Sequence, residues 1–264
     1  MLRRVHSVLV CLTLLSAPLF SAAGHGGQAA PARVPVVVEL FTSEGCSSCP
    51  PADKLLADLD RMQPVPGALI IPLEEHVDYW NSDGWQDPFS SAEFTSRQQL
   101  YARHLRLPTP YTPQMIVAGR TDVRGSASRD ALAAIAEAAQ APSVEVGLEV
   151  TSDASPNSVL HAAVRADSYP ADAGESAEAC LAITEDDLSS NVSAGENKGR
   201  HVEHRAVVRK FIYVDHLKPG KPFTANVSTR IAREWKRENL RVVVFLAGDS
   251  TGKIFGAATA TVGR

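Results

Sequence analysis

Two cysteines with two residues between them, Cys46 and Cys49, are the side chains of this sequence that point most directly to chemistry. Apolar residues at helical spacing follow them, which predicts that the pair lies at the N-terminus of a helix. There the free backbone N–H groups and the helix dipole favour the thiolate of the first cysteine, the form that is reactive in thiol–disulfide exchange. In this interpretation Cys46 attacks and Cys49 resolves the mixed disulfide. The alternative is a structural Cys46–Cys49 disulfide, although so short a loop constrains the unfolded chain little.

A strand, a helix and a second strand must position this pair. Residues 36–41 form a short β-branched apolar run that is typical of a strand buried on both faces, and residues 68–73 form a second run. The intervening helix predicts a parallel βαβ unit. Because the carboxyl ends of parallel strands face one crevice, we expect His76, which follows the second strand, beside the cysteines.

The segment that follows this strand contains candidates for substrate binding. His76 and Asp78 would form a general-base pair, and Trp80 and Trp85 would form an apolar lip for a peptide. The alternative is that the aromatic side chains anchor a long connection to the core.

A metal site is a further alternative, with Cys46, Cys49 and His76 as ligands. Two thiolates and an imidazole would suit Cu(I) or Zn(II). The sequence has neither a second CxxC nor an ordered spacing of histidines to support such a site. We therefore expect no metal and no other cofactor.

The elements after residue 90 complete a recognisable order. The pattern predicts a helix at 91–105, a strand at 111–120, a short strand at 123–125 and a closing helix at 129–139. Three longer strings are more specific: VELFTSEGCSSCPPAD at 38–53, EHVDYW at 75–80 and YTPQM at 111–115. Together they resemble an exported, thioredoxin-like bacterial family of unknown function.

This resemblance implies an α/β thioredoxin-like domain at residues 34–141. Pro113 matches the cis-proline of that fold, and the backbone of Thr112 would pair with an incoming peptide strand. Glu39 lies on the first strand, from which thioredoxins present an acidic residue that would accept the proton of Cys49. The alternative for Glu39 is a structural salt bridge, because a buried carboxylate without a partner is costly.

The second half has a different pattern. Short alternating runs separated by turn residues predict an all-β, sandwich-like domain at 143–264. Its polar segment 196–204 is either a surface for substrate docking or dimerisation, or a solvated hairpin. Cys180, within an apolar run, is interpreted as a buried free thiol, with an intermolecular disulfide as the alternative.

Charge and composition narrow the classes of partner. The chain has 264 residues and a formal net charge of -4, which gives no basic footprint for nucleic acid. Arg3 and Arg4, the apolar run 8–20 and the small residues 21–23 predict a signal peptide at 1–23, cleaved near Ala23. We therefore expect a secreted or periplasmic protein with no stable membrane span.

The leading hypothesis is an exported thiol–disulfide oxidoreductase that acts on protein or peptide thiols and exchanges electrons with an unidentified redox partner. Ser47 and Ser48 between the cysteines carry no charge and leave the redox direction open. The first alternative is the Cu(I)- or Zn(II)-binding module described above. The second is a non-enzymatic binding protein in which the disulfide is structural and the β domain binds the partner.

Overall fold

The computed structural model describes residues 32–153 and 158–262. The predicted signal peptide at 1–23 lies outside the described residues. Within those two ranges, no helix combines the length and the apolar character that a membrane span requires.

The predicted strand–helix–strand unit is present. It consists of β1 (Val34–Thr42), α1 (Pro50–Met62) and β2 (Ala68–His76), with β1 and β2 parallel. β1 is central, because it pairs with β2 on one side and with β3 (Gln114–Val117) on the other. Cys49 is the residue that precedes the first turn of α1, so the cysteines do lie at a helix N-terminus.

The rest of the first half also follows the predicted order. After β2 come α2 (Ala92–His104), β3, β4 (Thr121–Arg124) and α3 (Ser128–Ala138). The peptide bond between Thr112 and Pro113 is cis, as the resemblance to the thioredoxin fold implies.

The second half consists of strands. They are β5 (Gly147–Ser152), β6 (Val159–Ala166), β7 (Ala177–Glu185), β8 (Leu188–Asn191), β9 (His201–His204), β10 (Val207–Leu217), β11 (Phe223–Arg230), β12 (Leu240–Gly248) and β13 (Ile254–Thr261). β9 and β10 are separate strands although only two residues lie between them, because the chain turns there with Ala206 at a φ of 60°.

The two halves share one sheet, which differs from the two separate domains that the sequence predicts at 34–141 and 143–264. Eight strands follow the order β13-β12-β7-β10-β2-β1-β3-β4, and β10 joins β2 through the pair Val207 and Glu74. The physical reason is that β2 is buried on both faces, so its backbone needs a hydrogen-bonding neighbour on its second edge. The fold is therefore mixed α/β, with a large sheet and few helices.

A sandwich-like layering is nevertheless present in the second half. The smaller sheet β11-β6-β5 packs its apolar side chains onto the large sheet. Leu160 and Ala162 of β6 share a core cluster with Leu181 of β7 and Val242 of β12. One layer of the expected sandwich is thus continuous with the sheet of the first half.

The helices cover both faces of β1 and β2. Val36, Val38 and Leu40 pack against α1 and α3, on what we name the α1 face. Val37 and Phe41 point the other way and pack against α2, on the α2 face. Since side chains alternate along a strand, the position of a residue in β1 or β2 decides which face it serves.

An ion network ties α1 to the second half. Asp60, near the end of α1, accepts a hydrogen bond of 2.9 Å from Arg241 of β12 and a shorter one from Arg205. Asp60 is 6% exposed, and the two arginine side chains are 18% and 21% exposed. Partly buried charges of this kind depend on one another, because removing one leaves the others with poor solvation.

We expect Asp60→Asn to lower the free energy of unfolding by roughly 2 kcal/mol at neutral pH, since two guanidinium groups lose their carboxylate. Burial opposes ionisation of Asp60, but Arg241 and Arg205 outweigh it and hold its pKa below the usual 3.8. A lowered pKa contributes stability above the unfolded-state value, and this contribution is lost as the pH falls through the folded-state value. Urea unfolding at neutral pH and at about pH 3 should therefore show a smaller difference from the wild type in acid.

Asp58→Asn is the matched control on the same helix. Asp58 pairs with Lys54, whose side chain is 75% exposed, so its loss should change stability by less than about 0.5 kcal/mol. Equal effects of the two substitutions, or an Asp60→Asn effect independent of pH, would contradict this account.

Candidate functional site

The cysteine pair lies in a tight turn between β1 and α1. The amide of Cys46 donates to the carbonyl of Ser43 at 3.1 Å, and that of Cys49 donates to the carbonyl of Cys46 at 3.2 Å. The predicted disulfide is present between Cys46 and Cys49, with a Cα–Cα distance of 5.5 Å. Ser47 and Ser48 between them are exposed.

Both cysteines are fully buried, and a segment of the second half contributes to their cover. We name residues 195–204 the covering segment. Asn197 Nδ2 donates to the carbonyls of Glu44 and Cys46, both at 2.9 Å. The amide of Ser47 donates to Glu196 Oε2 at 3.0 Å. Asn197 is 0% exposed and His204 is 4% exposed, whereas residues 198–201 are exposed, so this polar segment is a largely solvated hairpin that turns two polar side chains inward.

The tryptophans of the predicted substrate lip lie beside the cysteine turn. Trp80 Nε1 donates to Thr112 Oγ1 at 2.7 Å, and Trp85 Nε1 donates to Glu44 Oε2 at 2.7 Å. A Cβ added at Gly45 would lie 3.0 Å from Trp80 Cβ. These contacts place both rings against the loop that holds Cys46.

The loop of the cis-proline also approaches α1. A Cβ added at Gly125 would lie 2.8 Å from Pro113 Cβ and 2.9 Å from Ala52 Cβ. Glycine at position 125 therefore permits the proline and the first turn of α1 to approach each other. The loop of Thr112 and Pro113 thus lies next to the first turn of α1, the helix that begins directly after Cys49.

Glu39 lies elsewhere. It is fully buried on the α2 face, where it accepts hydrogen bonds from Arg97 and, at 2.5 Å, from Tyr101 Oη. Arg97 also donates to Glu75 at 3.0 Å. Glu39 therefore forms the structural salt bridge that the sequence analysis gave as the alternative. A role as the proton acceptor of Cys49 does not fit, because α1 packs on the opposite face.

Asp53 is the acidic residue on the side of the cysteines, and the sequence analysis missed it. It lies one turn after Cys49 in α1, is 5% exposed and accepts a hydrogen bond from Thr42 Oγ1 at 2.6 Å. Burial and the neighbouring charge of Glu74 raise the pKa of Asp53 to about 7. Its position one turn before the apolar residues Leu56 and Ala57 was the available signal for a buried carboxyl.

His76 is paired with Asp87 rather than with Asp78. His76 Nδ1 and Asp87 Oδ2 are 2.7 Å apart, whereas Asp78 accepts from Thr95 Oγ1 at 2.6 Å near the start of α2. The expected pair of His76 and Asp78 is therefore wrong. Asp78 lies beyond the end of β2 at His76, so strand geometry no longer places its side chain beside that of His76.

His76 belongs to a buried cluster that joins both halves of the chain. His204 Nδ1 lies 2.8 Å from Glu74 Oε1, and His204 Nε2 lies 3.0 Å from Glu44 Oε1. The rings of His76 and His204 meet edge to face, with centroids 4.7 Å apart. Burial alone would lower the pKa of His204, but Glu74 and Glu44 outweigh it and raise the pKa to about 10.

The described residues do not form the alternative metal site with Cys46, Cys49 and His76 as ligands. Both sulfurs are in the disulfide, and His76 instead groups with Glu74 and His204. Cys180 is a buried free thiol within the described chain, as expected, and burial raises its pKa. Its 1% exposure excludes it from contact with another molecule in this conformation.

Comparison with known proteins identifies relatives of most of the described region. Residues 37–247 match the family described as "Protein of unknown function (DUF1223)". A crystal structure of a protein from Agrobacterium tumefaciens is similar at 29% identity and a TM-score of 0.66, and the match covers 88% of this chain and 96% of that one. HBP35 of Porphyromonas gingivalis shares the fold at 15% identity and a TM-score of 0.64, with 88% and 76% covered. Among curated proteins, none matches this sequence.

Because the covering segment lies over the cysteine loop, we expect it to slow the reduction of the disulfide by small thiols. Asn197→Ala removes the donor to two carbonyls of the cysteine loop. If this lowers the free energy that keeps the covering segment closed by about 1.4 kcal/mol, the population of the open form rises about tenfold. We expect reduction of the Cys46–Cys49 disulfide by dithiothreitol to become about tenfold faster. The measurement is mass spectrometry after timed quenching with an alkylating reagent.

Lys198→Ala is the matched control, since Lys198 is exposed on the same segment. It should leave the rate of reduction unchanged. If the disulfide is reduced at the wild-type rate in both variants, the covering segment does not limit access to it.

Proposed function

We propose that this chain, which belongs to the DUF1223 family of proteins of unknown function, is an exported thiol–disulfide oxidoreductase that acts on protein or peptide thiols. The observation that carries the proposal is the Cys46–Cys49 disulfide at the N-terminus of α1, beside the loop of Thr112 and Pro113. The order β1-α1-β2-α2-β3-β4-α3 supports a thioredoxin-like interpretation of residues 34–141.

The chemistry consists of two exchanges. In the reducing direction, the Cys46 thiolate attacks a substrate disulfide, forms a Cys46–substrate disulfide and releases the first substrate thiolate. Cys49 then loses its proton and attacks Cys46 Sγ, which forms the Cys46–Cys49 disulfide and releases the second substrate thiolate. In the oxidising direction the same bonds form and break in reverse, with two electrons passing from substrate to protein. The potentials of the pair and its partner decide the direction.

Helix α1 supports the first exchange. Its initial N–H groups and its dipole lie at the cysteines and favour negative charge on Cys46. Ser48 Oγ lies 3.4 Å from Cys46 Sγ and can donate a hydrogen bond to a thiolate there. The sequence therefore provides a neutral, polar surrounding for the attacking sulfur.

Asp53 supports the second exchange. A general base must lie close to the group it deprotonates and must have a pKa near the working pH. Asp53 follows Cys49 by one helical turn on the α1 face and has a pKa of about 7. We assign to Asp53 the role of proton acceptor for Cys49, in place of Glu39.

Substrate access requires movement of the cover. Both cysteines are 0% exposed, and the side chain of Asn197 is hydrogen-bonded over their loop. A peptide that pairs with the backbone of Thr112 could reach the sulfur of Cys46 only after the covering segment moves. The tip of this segment, at Glu196 and Asn197, holds the cysteine loop by three hydrogen bonds, few enough for local opening below the global unfolding free energy.

Export is the remaining part of the proposal. The predicted signal peptide at 1–23 supports it, because disulfides persist in secreted and periplasmic proteins. An oxidising compartment would also supply the disulfide-bonded clients on which such an enzyme acts.

Reduction of insulin by dithiothreitol tests the activity. We expect the wild type to accelerate it, Cys46→Ser to abolish the acceleration, and Cys49→Ser to accumulate a disulfide between Cys46 and the substrate. Cys180→Ser is the control, because that thiol is buried and distant in sequence. Activity that survives in Cys46→Ser would overturn the proposal. Inactivity of both the wild type and Asn197→Ala would instead support a structural disulfide.

The role of Asp53 has its own test. Asp53→Asn keeps the size of the side chain but removes the proton acceptor, so resolution of the mixed disulfide should slow on the order of 100-fold at neutral pH. The measurement is stopped-flow formation of the Cys46–Cys49 disulfide from a preformed mixed disulfide. Asp58→Asn, one turn further along α1, should leave the rate unchanged. Equal rates for Asp53→Asn and the wild type would exclude the assignment.

A further inference from the structure

We propose that Glu74, His76 and His204 form a binding site for one divalent transition-metal ion of the Zn²⁺ class, separate from the cysteine pair. One ligand atom of each residue lies within 4.8 Å of those of the other two, and all three residues are buried. Glu74 and His76 come from β2, and His204 comes from β9. The site therefore spans the two halves of the chain.

The second ring nitrogen of His76, Nε2, faces the carboxylate of Glu74. His76 Nδ1 is bonded to Asp87, and the ring is fully buried. Within the described residues, His76 Nε2 has no hydrogen-bond partner, and it lies 3.5 Å from Glu74 Oε1. Two facing lone pairs would repel, so the space between this ring nitrogen and the carboxylate oxygen holds positive charge, either as a proton on the imidazole or as a metal ion that replaces that proton.

The spacing of the ligand atoms suits a small cation. Metal–nitrogen and metal–oxygen bonds near 2.0–2.1 Å in a tetrahedral site place the ligand atoms about 3.3 Å apart. The separation of 3.5 Å between His76 Nε2 and Glu74 Oε1 fits this, and the 2.8 Å between His204 Nδ1 and Glu74 Oε1 needs to open by a few tenths of an ångström. Two nitrogens and one oxygen leave a fourth position for water.

Each histidine is held from behind by a carboxylate. Asp87 binds Nδ1 of His76, and Glu44 binds Nε2 of His204, so each ring directs its other nitrogen towards Glu74. Carboxylate–histidine–metal arrangements of this kind fix the tautomer and the orientation of a ligand. Asp87 is itself fixed, because it accepts from the amides of Glu44 and Phe89.

A surface cavity lies next to one ligand of the cluster. This cavity of about 320 Å³ is lined by Asp53 and His204 among other residues, and it reaches the edge of the cluster. On another side, the ring of Phe89 packs on both imidazoles at centroid distances of 5.4 and 5.6 Å. The site is thus enclosed by an aromatic ring and approached from a polar cavity.

Zn²⁺ binding to the chain with both cysteines replaced, Cys46→Ser and Cys49→Ser, tests the proposal independently of redox activity. Isothermal titration calorimetry after treatment with a chelator should give one Zn²⁺ per chain, and Zn²⁺ should raise Tm. His76→Gln and His204→Gln should each weaken binding by at least tenfold, and Asp87→Asn by about 10- to 100-fold. His201→Gln is the matched control, since His201 is exposed in the same strand.

The proposal would be overturned if the chain did not bind Zn²⁺, or if His204→Gln bound it as tightly as the parent chain. The cluster would then be an ion-pair network. If the histidine variants fail to fold, the Co²⁺ spectrum of the Cys46→Ser, Cys49→Ser chain decides. Tetrahedral d–d bands without thiolate charge transfer support the site. The absence of such bands contradicts it.

Discussion

The carboxylate of Glu74 is fully buried at the carboxyl end of β2, and much of the structure serves to compensate it. A buried carboxylate without partners costs several kcal/mol. Glu74 meets this cost with His204 at 2.8 Å and the backbone amide of Arg205 at 2.9 Å. These partners lie 130 and 131 residues further along the chain, so the charge on β2 requires the second half to close over the first.

β2 carries a buried glutamate on each of its two faces, and each glutamate needs its own partners. Glu75 points to the α2 face, where it shares Arg97 with Glu39 of β1. Glu74 points to the α1 face and joins the histidines. Because side chains alternate along a strand, two adjacent glutamates generate two separate buried clusters. A shift of β2 by one residue would exchange their partners, so the charges also fix the register of β1 and β2.

Local patterns explain what could be predicted from the sequence. The helix after Cys49, the parallel pair of β1 and β2 and the turn at Pro113 follow from periodicity, capping and the fixed geometry of proline. The missed features depend on contacts between distant residues. The pairing of His76 with Asp87, the face of Glu39 and the burial of Asn197 follow from tertiary packing. The pairing of β10 with β2 joins strands that lie more than 100 residues apart in the sequence, so no local pattern predicts it.

Glu44 links these long-range contacts to the cysteines. Its side chain binds His204 and Trp85, its amide donates to Asp87, and its carbonyl accepts from Asn197. It lies two residues before Cys46. The covering segment, the histidine cluster and the cysteine turn therefore meet at Glu44, and its contacts connect the charges of the cluster to the turn that holds Cys46. Access to the disulfide and compensation of the buried charges are thus properties of the same contacts.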